Sequence, residues 1–165
     1  MVQLWLILDN IRSTANVGSI LRTADAAGVK GVITCGITPY PRLENDDRDP
    51  VVSGRNTREI AKTSLGAELT VPIEYMTSTI AAIEHCRSKG RTIFGLEQSP
   101  KSTNIFANHA ISQYVALVLG SEVDGIDEAT QAACDSLIEI PQYGSKESLN
   151  VSVAAGIAIY QLVQH

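Results

Sequence analysis

The stretch YVALVLGSEVDGI, residues 114–126, decides the fold. Its first half is almost continuously apolar, and Leu119 is followed at once by Gly120. A run this short and this apolar, ended by glycine, reads as a central strand covered on both faces, as strands of a parallel sheet are. Similar runs stand on either side. QLWLIL (3–8), GVITC (31–35), AELTVP (67–72), RTIFGL (91–96) and SLIEI (136–140) read as strands. Helical patterns lie between them near 16–28, 54–64, 77–89, 125–133 and 149–163. Alternation at this spacing predicts an α/β domain with a mainly parallel sheet and helices on both faces.

The 165 residues are expected to form one domain, 1–165, with a substantial core. Hydrophobic residues make up 44% and charged residues 19%, an ordinary balance for a soluble protein. No apolar run is long enough for a membrane span, and MVQLWLILDN lacks the basic start of a secretory leader, so a cytoplasmic protein is expected. Cys35, Cys86 and Cys134 are odd in number and widely spaced, which fits reduced thiols in such a compartment.

A net charge of −5 argues mildly against a nucleic-acid partner. Its distribution softens that objection. Residues 1–101 carry 12 Lys/Arg against 11 Asp/Glu, whereas 102–165 carry Lys146 alone against seven acids. Phosphate contacts are therefore expected from the first part, with Arg12, Arg22, Arg55, Arg58 and Lys62 as candidates. Taken singly, each is equally a solvated surface charge. The segment 36–56, with Pro39, Pro41, Pro50 and a mixed charge cluster, reads as a long loop, either a substrate loop or a flexible insertion.

Several chemistries are excluded. No G-x-G-x-x-G follows a strand, and GSEVDG (120–125) lacks the Lys-Ser/Thr of a phosphate-binding loop. No G-x-S-x-G elbow is present, and His85, His109 and His165 are isolated, without metal-ligand spacing; His109 reads as an exposed polar residue beside Asn108. No metal is expected. What remains is polar or glycine-rich sequence after three successive strands: Glu97–Ser99, Gly120–Glu122 and Pro141–Gly144. Ligands of open α/β sheets sit at those strand ends, so one composite pocket is expected. Gly120 would let a ligand approach the backbone and Gly125 would suit a turn; the alternative is that both serve turns alone. A helix starting near Leu149 with Ser148 as its N-cap would offer free N–H groups to a polar ligand, or Ser148 and Asn150 would simply cap it. Ala154, Ala155, Gly156 and Ala158 would let that helix pack closely on another element, in this chain or in a second subunit.

Three ordered stretches carry a family resemblance. NVGSILRTADAAGV (16–29), LVLGSEVDGI (117–126) and IPQYGSKESLNVSVAAGIAIY (140–160) together resemble the motifs of the SpoU (TrmH-like) branch of the SPOUT RNA methyltransferases, over essentially the whole chain. The resemblance implies a deep C-terminal trefoil knot in which the 141–148 loop and its helix thread an earlier loop. It implies a homodimer, with the first-motif and C-terminal helices near the interface. It implies S-adenosyl-L-methionine held around Leu96, Glu97, Gly120, Ser121, Gly125, Ile140, Pro141, Ser148 and Leu149. Asn16, Arg22, Glu122, Ser148 and Asn150 would form the polar catalytic set for methyl transfer to a ribose 2′-hydroxyl of RNA. Arg22 is the family's favoured activating residue, yet a guanidinium stays protonated up to a pKa above about 12, so it either activates the hydroxyl or holds the adjacent phosphate. Compared with members that carry an added RNA-binding domain, the chain resembles the minimal form, which favours an accessible tRNA loop over a buried rRNA nucleotide. Two other readings stay open: a non-catalytic RNA-binding factor on the same fold, and a knotted methyltransferase acting on a base nitrogen.

Overall fold

The computed structural model describes residues 1–107 and 111–164; Asn108, His109 and His165 lie outside them. Seven strands form one sheet: β1 (Gln3–Asp9), β2 (Gly31–Cys35), β3 (Ile73–Met76), β4 (Thr92–Leu96), β5 (Thr103–Asn104), β6 (Tyr114–Leu119) and β7 (Ser136–Glu139). Their order is β3-β2-β1-β6-β4-β7-β5, and every pairing is parallel. The central strands are buried on both sides, which is why β1 and β6 read as unbroken apolar runs.

Five helices cover the sheet: α1 (Thr14–Ala27), α2 (Pro50–Ser64), α3 (Thr79–Ser88), α4 (Glu128–Ala133) and α5 (Val151–Val163). Alternation along β1 sorts the core. Leu4, Leu6 and Leu8 join Ile20, Leu21, Ala155 and Ile159 of α1 and α5. Ile7 on the opposite face joins Ala82, Ile83 and Cys86 of α3. Ser13 caps α1 by accepting from the Asn16 N–H at 3.2 Å, and Gly28, at φ 72°, ends it. Gly18 permits the close contact of α1 with α2, since a Cβ there would stand 2.5 Å from the Ile60 carbonyl oxygen.

Four expectations need correction. AELTVP (67–72) is not a strand: Leu65 and Gly66 are left-handed, Ala67–Leu69 form a 3-10 turn, and the strand begins only at Ile73. The 36–56 loop stops at Asp49, whose carboxylate caps α2 while Pro50 occupies the first turn, where its missing N–H costs nothing. Helix α5 starts two residues later than expected, and its cap is Asn150 rather than Ser148. The helix expected from 125 begins at Glu128, with Asp127 as cap. The two-residue strand β5 has no period to betray it. All three thiols are free, and burial pushes Cys35 and Cys134 up to about 12. Among the described residues no helix is long and apolar enough to cross a membrane, and no cluster of His, Cys, Asp and Glu could hold a metal ion.

Candidate active site

Because neighbouring strands are parallel, β4, β6 and β7 release their chains on one edge of the sheet. Leu96, Gly120 and Ile140 come together there and line a cavity of about 360 Å³. Glu97, Ser121, Gly125, Ser148 and Leu149 line it too; Pro141 does not. Val151 and Ala154 add an apolar wall from the first turn of α5. Among the described residues five carboxylates line the cavity, those of Glu97, Glu122, Asp124, Glu139 and Glu147, and no Lys or Arg does.

The two glycines serve the turn itself. A Cβ on Gly120 would stand 2.4 Å from the carbonyl carbon of Gly125, so the backbone of the chain, and not a ligand, takes up the space. Gly125 sits at φ 64°, and its N–H donates to the Ser121 carbonyl at 3.0 Å. Glu97 locks this turn to β4: its Oε2 accepts from Ile126 N–H at 2.7 Å and its Oε1 from Gln98 N–H at 3.0 Å. Both oxygens of Glu97 thus hold the cavity's wall in shape.

At the lip of the cavity a chain of hydrogen bonds joins the three sequence motifs. Asn16 in the first turn of α1 donates from Nδ2 to Glu122 Oε1 at 2.5 Å, and its Oδ1 accepts from Asn150 Nδ2 at 3.2 Å. Asn150 in turn accepts at Oδ1 from the N–H of Ser152 at 2.8 Å, so the residue that caps α5 also orients Asn16. Glu122 Oε2 has no partner among the described residues. Ser148 is exposed beside Leu149 and lines the cavity without capping anything. Arg22 does not line the cavity. It is exposed on α1 and pairs with no described residue.

The other basic candidates gather elsewhere. Arg55, Arg58 and Lys62 follow helical spacing on one exposed face of α2, where Lys62 pairs with Glu59 at 2.8 Å. Arg12 and Arg55 share a second, open cleft with Tyr75. Gln142 lines the cavity, as expected of the Pro141–Gly144 stretch, whereas sequence reasoning missed Glu147 on the cavity wall and the structural role of Arg48. Glu147 sits in a loop with no periodicity, whereas the Asp-Pro step before α2 was a legible helix start.

Comparison with known proteins identifies a family. The model of the SpoU rRNA methylase family matches residues 48–160. The 23S rRNA (guanosine-2′-O-)-methyltransferase RlmB of Vibrio vulnificus is 35% identical over 161 residues, covering 98% of this chain and 59% of that protein. The chain therefore spans about three fifths of the length of such curated relatives. An AdoMet-bound rRNA methyltransferase structure from Sinorhizobium meliloti superposes with a TM-score of 0.79 at 28% identity, over 99% of this chain and 56% of that one. The A. aeolicus TrmH/SpoU tRNA modifying enzyme also gives 0.79, at 26% identity, over 99% and 75%. From its motifs, its parallel sheet and these matches, the chain belongs to the SpoU rRNA methylase family.

Proposed function

We propose that this chain transfers a methyl group from S-adenosyl-L-methionine to a ribose 2′-hydroxyl of RNA. The observation that carries the reading is the Glu122–Asn16–Asn150 hydrogen-bonded chain at the lip of the strand-end cavity. The cavity fits the cofactor: its volume of about 360 Å³ lies in the range of roughly 300–1,000 Å³ for small-molecule sites. Its wall of carboxylates without a Lys or Arg suits a cationic ligand. When bound there, S-adenosyl-L-methionine supplies an electrophilic methyl on a positively charged sulfur. Backbone groups at Leu96, Gly120, Ile140 and Leu149 would hold its nucleoside, with Ser121, Gly125 and Glu97 keeping that backbone in place.

The protein's own residues do the rest by position. Asn16 engages one oxygen of Glu122 and leaves Oε2 open to accept the hydrogen bond, and then the proton, of the acceptor hydroxyl. Asn150 fixes the amide of Asn16 in the orientation that makes this donation. Ser148 stands beside the acceptor as a neutral hydrogen-bonding group. Arg22, exposed and unpaired, holds the adjacent phosphate, since a guanidinium cannot take a proton. Arg12, Arg55, Arg58 and Lys62 add phosphate contacts along the strand.

The C-terminal segment is threaded in this reading. The support is topological: β7 lies between β4 and β5, so the chain from 97 to 107 passes around the place that β7 and the following segment take. The active form is a homodimer, supported by the exposed apolar face that Val153 and Tyr160 make on α5. The acceptor is a tRNA or rRNA nucleotide, the two substrate classes of the similar proteins from Vibrio vulnificus and A. aeolicus.

Purified protein incubated with methyl-labelled S-adenosyl-L-methionine and total tRNA or rRNA, then digested to nucleosides, tests the reading. Label in a 2′-O-methylnucleoside is the expected result. Label on a base would make the enzyme a base methyltransferase, and cofactor binding without label on either RNA would leave an RNA-binding factor.

A further inference from the structure

We propose that the open cleft between the start of α1, the loop after β2 and the edge strand β3 seats the nucleotide next to the methyl acceptor in the RNA strand. Its phosphate lies between Arg12 and Arg55, and its base lies against Tyr75 and Ile37. This deepens the RNA methylation reading and rests on it.

The cleft measures about 770 Å³. Its walls are built from specific bonds. Thr38, 2% exposed, accepts at Oγ1 from the Ile11 N–H at 3.1 Å and donates to the Leu8 carbonyl at 3.0 Å. Asn10, at φ 51°, accepts at Oδ1 from Ile37 N–H at 3.1 Å. The Tyr75 hydroxyl donates to the Gly36 carbonyl at 3.2 Å, and its ring stacks on Tyr40 with centroids 4.5 Å apart. Arg48 lies over the other ring, its Cζ 3.4 Å from the Tyr40 centroid.

Against these committed groups, two cations are left over. Arg12 and Arg55 line the cleft, are exposed, and make no hydrogen bond or ion pair with any described residue. Ile37 and Tyr75 are 62% and 37% exposed beside them. Unpaired guanidinium groups beside an aromatic ring are what a phosphate with its attached base requires. Asp47 also lines the cleft and can accept from a base N–H or ribose hydroxyl.

Position ties the cleft to the acceptor. Arg12, Ser13 and Thr14 line it, and Asn16, two residues on, bonds to Glu122 at the other cavity. The start of α1 therefore borders both sites, and a strand whose acceptor hydroxyl lies at Glu122 runs past Arg12.

A fluorescein-labelled single-stranded RNA hexamer of mixed sequence, followed by anisotropy across a salt series, tests this. Wild-type protein, Arg12→Ala, Arg55→Ala, Tyr75→Ala and Tyr75→Phe are compared, with Arg87→Ala as a distant control. Each arginine variant should weaken binding and lower the salt slope by about 1. Tyr75→Ala should weaken it about tenfold and Tyr75→Phe hardly at all, because stacking on an aromatic face carries the base contact. Cofactor affinity by calorimetry should stay within twofold of wild type throughout, which a misfolded variant would not give. Unchanged hexamer affinity in both arginine variants, no hexamer binding by wild type, or equal affinity for free adenosine monophosphate would overturn the proposal. Methyl transfer to RNA is assayed alongside. Transfer with an unchanged KM in the variants removes the cleft and keeps the methylation reading. Hexamer binding that depends on Arg12 and Arg55 without any transfer does the reverse.

Discussion

Asn16 is held from one side by Asn150 and itself holds Glu122, so its amide must point one way only. Asn16→Ala removes both bonds and frees Glu122 to turn away. Methyl transfer is expected to fall by about 10²-fold or more, the size of a general acid–base contribution, with cofactor affinity within threefold; single-turnover transfer and calorimetry separate the two effects. Arg22→Ala should abolish transfer while leaving cofactor affinity nearly intact, because Arg22 lies outside the cavity. A comparable loss of cofactor binding would make Arg22 structural. Gly120→Ala acts differently. Its Cβ meets the backbone of Gly125, which cannot swing aside as a side chain can. A loss of about 1–3 kcal/mol is expected in urea unfolding, together with weaker cofactor binding. The motif residues at strand ends were legible because glycine and polar residues after an apolar run have few other uses. That Gly120 answers to Gly125 and not to a ligand was not legible, because a close approach between two backbones leaves no mark in side-chain pattern.

The loop between β2 and α2 shows what an element can hide. Arg48 bonds the carbonyls of Tyr40 and Pro41 at 3.0 Å each and pairs with Asp46 at 2.5 Å. Side-chain exposures of 18% for Arg48 and 2% for Asp46 make this an inward-facing pair. Arg48→Ala leaves the Asp46 carboxylate without its partner, and a loss of about 1–3 kcal/mol is expected, the scale of a part-buried polar group left unpaired, read as raised hydrogen exchange over 37–48 and weaker RNA binding. The same pair sets a pH dependence. The Arg48 guanidinium, with backbone N–H groups of Leu43 and Arg48, holds the Asp46 carboxyl well below the usual carboxylate range. Its folded pKa is lower than the unfolded value of about 3.9, so the contribution is complete above that value and is lost as pH falls toward the folded one. The loop's protection factor, its exchange rate relative to the intrinsic rate at each pH, should therefore fall below about pH 4 and stay flat from pH 5 to 8. In the sequence this segment reads as a charged, proline-rich insertion. The order comes from one arginine reaching carbonyls seven and eight residues away, a contact with no period.

At the scale of the molecule, the sheet and its covering helices followed from alternation alone, while strand order and the small strand β5 did not. Parallel strands exchange places without altering the hydrophobic pattern of any one of them. The small residues of α5 were readable as a close-packing face, and the structure gives their partner: Ala155 and Ala158 point into the core, and Gly156 approaches Thr23 of α1. Val153 and Tyr160, seven residues apart, remain 51% and 45% exposed on the outer face. If that face pairs two copies, sedimentation equilibrium gives about 35 kDa, twice the 17.7 kDa chain, and Val153→Glu shifts it to the monomer with loss of transfer. A monomer in the wild type would remove the dimer from the proposed function.

The bond between Asn150 and Asn16 closes across 134 residues of sequence. A ribosome adding about 5–20 residues per second releases the second of these side chains about 7–27 s after the first. β2 is complete early in that interval, yet the lip of the cavity lacks one of its members until the end of it. The lip closes only after the last strand, β7, has been made, so a chain stopped between Glu139 and Asn150 would carry every strand of the sheet without the bond that orients Asn16.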